Sequence, residues 1–347
     1  MKRNIIIQAA AIVAMLLVGT AANAREWHIN NKAGVPAHFA DINAAMASEE
    51  VIEGDTLYIG AGCLISSNQT ISKKVTVIGT GWGYSGSPAT QARINGDVTI
   101  TANGAVVVGL YASGTCCVNA NSITVQRCNF TAIKTTEDKY VNSARILSCY
   151  TGQICGRSDK KRGKDWEIRN NVVDGNPYYT SFDHLYSATI ENNIIRNTTY
   201  VPYNSNIGNL LQDCHYSVVK NNILICTSHN NQGGSMYGCS FNTIEHNVMS
   251  MSSGFNDTNI MLGSTELSNI FKCTGSIPSG EYFSLKEDSP AIGAGEGGID
   301  CGVMAGAYSF VPFGRPQYIP VIKKAVVPAI PTDGRVKVSF KIENQND

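Results

Sequence analysis

The stretch "DWEIRNNVVDG", Asp165 to Gly175, sets two asparagines between two short apolar runs, and "ATIENNIIRN" (Ala188 to Asn197) and "SVVKNNILIC" (Ser217 to Cys226) repeat the phrase. Its core is an apolar residue, any residue, then Asn-Asn and a second apolar pair. It occurs at Ile168 to Asn171, Ile190 to Asn193 and Val219 to Asn222, with "IEHN" at Ile244 to Asn247 as a variant. Looser copies lie upstream: "VVGL" (Val107 to Leu110), "VQRC" (Val125 to Cys128) and "ILSC" (Ile146 to Cys149) carry Leu or Cys in the last slot. The last slots fall at 110, 128, 149, 171, 193, 222 and 247, so the steps are 18, 21, 22, 22, 29 and 25 residues.

A step of roughly 22 residues is too short for paired-helix repeats and matches strand-based solenoids. Within each unit Val, Ile, Tyr and Thr alternate with period 2 between Asn, Gly, Asp and Ser, and helical periodicity is absent. Each unit therefore reads as one coil of two or three short strands. Stacked coils pair every strand with its counterparts above and below, which makes the chain an all-β solenoid of parallel sheets. Asparagine tolerates left-handed backbone and so suits the corner between two strands. Either Asn170, Asn192 and Asn221, or Asn171, Asn193, Asn222 and Asn247, is expected to form a ladder of side-chain amides. Cys128 and Cys149 would continue the second of these columns.

A solenoid must cover its ends, because exposed strand edges recruit other chains. In "FADINAAMASEEVIEGDTLYIGAG", Asp41 is a helix N-cap, "INAAMA" a short capping helix and "GDTLYIG" the first strand. The β-helix is assigned to residues 25–311. Prolines at 312, 316, 320, 328 and 331 then break the coil pattern. Residues 312–347 read as a C-terminal extension in which "GRVKVSFKIEN" is a strand packing along or over the last coil. The two long steps predict loops at Tyr200 to Asn206 and His229 to Gly234.

Residues 1–24 carry Lys2 and Arg3, an apolar run from Ile5 to Val18, and Ala22 and Ala24 in a cleavage pattern. This is the form of a secretory signal peptide, and the run is shorter than the roughly 20 residues of a membrane span. The mature protein is thus expected to be secreted, periplasmic or at the cell surface. Without that segment the charge goes from 27 basic and 27 acidic residues to 25 and 27, leaving no footprint for nucleic acid or membrane insertion. A hydrophobic content of 43% with 16% charge suits a globular chain. Eleven cysteines without CxxC or Cys/His metal spacing are expected to be mostly buried, stacked thiols with one or two bridges.

"INAAMASEEVIEGDTLYIGAG", "ISKKVTVIGTGWG", the Asn-Asn phrases and "LKEDSPAIGAGEGGIDCG" together resemble the right-handed parallel β-helix proteins of the pectin-lyase-like superfamily. More narrowly, they resemble exported β-helix proteins of gut Bacteroidetes. The resemblance covers nearly all of the mature chain. It implies a single-stranded right-handed parallel β-helix working on polysaccharides as a lyase, hydrolase or esterase, or serving as a tailspike or adhesin without chemistry. "SFDHLYS" (Ser181 to Ser187) resembles the Trp-Ile-Asp-His phrase of pectate lyases, whose acidic and imidazole positions would fall on Asp183 and His184. The Arg-Pro-Arg motif of those enzymes is lacking. So are the Asn-Thr-Asp, Asp-Asp and Gly-His-Gly patterns of polygalacturonases, which counts against inverting hydrolysis by paired carboxyl groups.

If the coils stack in register, residues equally far before the Asn/Cys slot lie above one another. Ten before stand Lys139, Lys161, Asp183 and Gln212; nine before, Tyr140, Arg162, His184 and Asp213; seven before, Asn142, Lys164, Tyr186 and His215. Adjacent coils lie about 4.8 Å apart, so these columns predict one polar patch. One reading makes it a lyase site for an acidic glycan. Lys161 or Arg162 would neutralise a uronate carboxylate, and His184, a Lys or a Tyr would act as general base. Asp183 and Asp213 would offer hard oxygen ligands to a calcium ion. Lys139, Tyr140, Tyr178, Tyr179, Tyr186 and His215 would contact the sugar. The other reading is a non-catalytic carbohydrate-binding or surface-interaction protein, because stacked Lys, Asp and His also make an ordinary exposed ion-pair column.

Overall fold

The computed structural model describes residues 24–82, 91–136, 139–156, 162–174, 180–197, 210–226, 236–250, 256–263, 267–272, 283–314, 321–326 and 339–343. Residues 1–23 of the expected signal peptide, Lys161, Tyr178, Tyr179 and the two expected loops lie outside them. Among the described residues no helix is long and apolar enough to cross a membrane.

The chain winds as a parallel β-helix. One coil runs through Thr124–Gln126, turns at Arg127 and Cys128, continues through Asn129–Phe130 and Ala132–Lys134, crosses to Val141–Asn142, and re-enters the first wall at Arg145–Leu147. Stacking builds a first wall of ten strands, a second of seven, a third of eight and a short fourth of three, all parallel. Like residues fall above like. The inner column of the first wall is Trp27, Leu57, Val77, Val107, Val125, Ile146, Ile168, Ile190, Val219 and Ile244. Each fully buried aliphatic in it contributes about 1.5–3 kcal/mol.

The Asn-Asn phrase is the corner between the first and second walls. Its first residue sits in the left-handed region in seven successive coils: Gly109 has φ 64°, and Arg127, Ser148, Asn170, Asn192, Asn221 and His246 have φ between 53 and 58°. Its second residue points inward and forms the ladder. Asn171 Nδ2 donates to Asn193 Oδ1 at 3.0 Å, Asn193 to Asn222 at 3.0 Å, Asn222 to Asn247 at 2.9 Å and Asn247 to Asn259 at 3.0 Å. Each of these oxygens also accepts the backbone N–H of the residue one coil below, starting with Cys149 N to Asn171 Oδ1 at 2.8 Å. The remaining Nδ2 hydrogens reach the carbonyls of Ile146, Ile168, Ile190, Val219 and Ile244. Every amide in the column is thereby satisfied without water, as burial demands. Below Asn171 the thiols of Cys149 and Cys128 continue the column, donating to Val125 O at 3.4 Å and Val107 O at 3.7 Å.

The outer column of first-position asparagines has a different task. Asn170 Nδ2 donates to Val303 O at 2.9 Å, and Asn192 Nδ2 to Gly302 O at 3.4 Å. Asn221 accepts from Glu296 N at 2.8 Å and, through its backbone, from Gly302 N at 2.9 Å. These bonds hold the segment 283–314, which runs back along the outside of the solenoid. It touches His246 O through the Cys301 thiol at 3.2 Å and ends at Trp82, whose backbone N–H donates to Phe313 O at 2.6 Å. Pro312 lies inside this strap and does not mark its start. Beneath it, Val172, Ile194, Ile223 and Val248 face outward from the second wall and pack with Phe283, Cys301, Val303 and Phe310 in a second apolar cluster. The second wall is thus buried on both faces, which requires consecutive apolar residues such as Val172-Val173 and Ile194-Ile195. The first wall alternates instead. Its outer face carries an ion-pair ladder: Arg145 to Glu167 at 2.6 Å, Arg169 to Glu167 at 2.8 Å, Arg169 to Glu191, and Lys220 to Glu296 at 2.5 Å.

The lower end is closed by the helix α1 (Ile42–Ala47). Asp41 caps it by accepting from Ala44 N at 2.8 Å, and Ile42, Ala45 and Met46 are buried. Its Asn43 accepts from Thr70 N at 2.8 Å and donates to Asn68 O at 2.9 Å, imitating a neighbouring strand at the edge of the third wall. Towards the C-terminus, Ser339–Glu343 pairs antiparallel with Val321–Val326 rather than with a coil strand.

Asn193→Ala strands two donors of Asn171, its backbone N–H and one Nδ2 hydrogen, inside the dry column, takes one donor each from Ile168 O and Asn222 Oδ1, and is expected to cost about 3 kcal/mol. Asn192→Gly keeps the left-handed corner, loses one long bond and should cost under about 1 kcal/mol. Urea-denaturation midpoints of the two variants check the contrast.

Candidate functional site

In three successive coils the corner between the third and fourth walls is a single residue. His184 joins Phe182–Asp183 to Leu185–Tyr186, Asp213 joins Leu211–Gln212 to Cys214 and His215, and Gly238 joins Met236–Tyr237 to Cys239. All three are left-handed, with φ of 53, 48 and 67°. A Cβ at Gly238 would meet Asp213 Oδ1, so any larger residue there would displace that carboxylate. A one-residue corner leaves its side chain no room inside, so His184 and Asp213 project outward, one above the other.

Asp183 is 5% exposed, at the end of a third-wall strand. Its Oδ1 meets His184 Nδ1, and its Oδ2 accepts from the Cys155 thiol at 3.6 Å. With Nδ1 turned to this carboxylate, Nε2 is the ring nitrogen that faces outward. Nε2 lies 3.5 Å from Asp213 Oδ2. The three residues form a carboxylate–imidazole–carboxylate line from the core to the surface. One atom from each lies within 4.8 Å of the others, so the group can also hold a cation. Its donors are two oxygens and a nitrogen; imidazole suits transition ions, whereas calcium takes six to eight oxygens.

His215 stands one coil above Tyr186. Its Nδ1 is 2.6 Å from Ser240 Oγ, while Nε2 is buried with no hydrogen-bond partner among the described residues. Burial, and after it the nearby Arg162 cation, hold this imidazole below its usual range against the pull of Asp213.

Alongside runs an aromatic column. The rings of Tyr186 and Tyr216 are 5.1 Å apart at a tilt of 49°, and those of Tyr216 and Phe241 are stacked at 4.9 Å. Tyr216 is 51% and Phe241 75% exposed, with Tyr237 close in sequence and 67% exposed. Exposed rings in line are seldom idle on a protein surface.

The nine-before column is present: Val141, Gly163 and Leu185 pair across successive coils, which aligns Tyr140, Arg162, His184 and Asp213 just before them. The seven-before column of Asn142, Lys164, Tyr186 and His215 pairs directly. The ten-before column holds for Asp183 over Gln212 and not beneath it, where Asp183 pairs with Cys155. Residues 156–162 intervene between the third and fourth walls in that coil, where His184 alone intervenes in the next, so counting ten back from Asn171 stops six residues short of Cys155. Lys139 lies just before Tyr140, which is 56% exposed, at the lower margin of this face. Tyr216, Phe241 and Cys155 were not among the expected site residues. The first two stand six before Asn222 and Asn247, so the same count would have found them.

No protein-family model matches the chain, and no curated protein matches it. The chemistry of this face itself carries the functional reading.

His215 has a folded pKa below its unfolded value of about 6.5, so the unfolded chain takes up the proton first. Stability is therefore expected to be fully present above that value and to fall as pH drops through it. Thermal melts from about pH 8 to pH 5 should show a steeper loss for the native protein than for His215→Gln.

Proposed function

We propose that this protein engages a polysaccharide along the face that carries Tyr186, Tyr216 and Phe241, and that on an acidic glycan it performs β-elimination. The observation that carries the reading is the exposed aromatic stack directly beside the Asp183–His184–Asp213 line. The aromatic column presents a continuous apolar surface, one ring per coil, to the apolar sides of successive sugars, and the tyrosine hydroxyls remain wet. The coil spacing is comparable to the rise of one pyranose along an extended chain.

Elimination asks for three things: a cation against the uronate carboxylate, a base for the proton on the adjacent carbon, and a proton for the leaving oxygen. Arg162 is placed for the first, as a guanidinium that bonds carboxylates bidentately. His184 serves as the base through Nε2, its direction set by buried Asp183. The imidazolium so formed, held by Asp213 Oδ2 at 3.5 Å from Nε2, then gives that proton to the glycosidic oxygen as its bond to the uronate ring breaks, so that the double bond forms and the leaving sugar departs as an alcohol. Secretion, expected from the N-terminal segment, agrees with a polymeric substrate outside the cell. Glycan binding without chemistry is the second reading, and the aromatic stack supports it equally.

Purified protein incubated with pectate, alginate or glycosaminoglycans, with and without calcium, is expected to release unsaturated product absorbing in the ultraviolet. His184→Ala should slow release at least about a hundredfold, and Phe241→Ala should weaken binding about tenfold. Binding with no product on any of these glycans would leave the second reading. Neither binding nor product would remove both.

A further inference from the structure

The face just described rests on two stacked cysteines that its chemistry does not use. Gln212 pairs with Tyr237 and His215 with Ser240, which sets Cys214 and Cys239 opposite each other on neighbouring coils. The two thiols are oriented alike, Cys214 donating to Gln212 O at 3.3 Å and Cys239 to Tyr237 O at 3.6 Å. Parallel neighbours in register lie about 4.8 Å apart, inside the roughly 4.4–6.8 Å between Cα atoms that a disulfide spans.

We infer that Cys214 and Cys239 are a disulfide-forming pair that staples the last complete coil to the one beneath it. Two features single this pair out. The first is access: Cys214 is buried, but Cys239 is only partly so. Cys128 and Cys149 stand in the same vertical relation, yet both are 0% exposed. They supply an internal control that no reagent reaches in the folded state. The second feature is place. Met236–Tyr237, next to Cys239, is the outermost strand of the third wall among the described residues, so one of its edges has no neighbouring strand. A two-residue strand held on one side is where a solenoid frays first, and a crosslink there ties the end down.

The oxidant is a disulfide, either a small one such as oxidised glutathione or the active-site disulfide of a thiol oxidase. Cys239, as thiolate, attacks one sulfur of that disulfide and expels the other as a thiolate, giving a mixed disulfide. Cys214 loses its proton, attacks the Cys239 sulfur and expels the second thiolate. The two cysteines lose two electrons and two protons in total, and the oxidant leaves as two thiols. The inference stands independently of the saccharide reading.

Folded protein treated with oxidised glutathione, then alkylated, digested and analysed by mass spectrometry, is expected to show one new link, Cys214 to Cys239, with an intact mass lower by two hydrogens. A reductant should reverse it. Cys239→Ser should abolish the loss of mass, and Cys214→Ser should trap glutathione on Cys239. If the buried Cys214→Ser fails to fold, the half-buried Cys239→Ser still decides the point. Both thiols remaining open to alkylation, a link through Cys128 and Cys149, or lasting glutathione on Cys239 of the unsubstituted protein would each overturn the inference.

Discussion

A buried amide must find partners within its own column, and this constraint organises the molecule. Asn171, Asn193, Asn222, Asn247 and Asn259 stand in a dry interior where water cannot complete their bonding. Each can be satisfied only if the next coil delivers another amide at one strand spacing. That requirement fixes the vertical register, and in parallel sheets the register decides which residues face in and which face out. The aliphatic columns follow from it, as do the charge ladder of the first wall and the outward aim of His184 and Asp213. Length can vary between coils only where no ladder passes.

Much of this was legible in the residues. Asn-Asn marked the corner because its first member must be left-handed and its second must bond vertically, two demands that asparagine meets together. The columns nine and seven before that corner are found where counting places them, because the fourth wall keeps its length from coil to coil. The third wall's column was not legible beneath Asp183. The inserted residues 156–162 carry no signal of which side of the fourth wall they enter, so Cys155 replaced the expected lysine as its partner. The difference between Glu167-Ile168-Arg169, which alternates, and Val172-Val173, which does not, was visible as pattern. That it meant one wetted wall and one covered wall needed the strap, whose sequence has no repeat to betray it.

The candidate site shows how a regular scaffold makes an irregular chemical group. Single-residue corners are stiff, since the backbone on both sides is held in parallel pairing. A side chain mounted there has few ways to move. The buried carboxylate of Asp183 then sets the orientation of the imbedded imidazole, and the open side is left to Asp213, Arg162 and the aromatic column. Pre-organisation of this kind costs nothing at the moment of binding, because folding has already met the cost.

Solenoids ordinarily gain or lose units freely, since each repeat touches only its neighbours and stability grows almost as a sum. The segment 283–314 removes that freedom. It is tied to coil after coil between His246 and Trp82, at contacts spaced by the rise of the coils themselves. Duplicating or deleting one unit in the middle would put every later tie out of step by a full rung. The strap acts as a ruler laid against the helix: it makes the number of rungs a fixed property of the fold and turns a chain of near-independent repeats into one cooperative body.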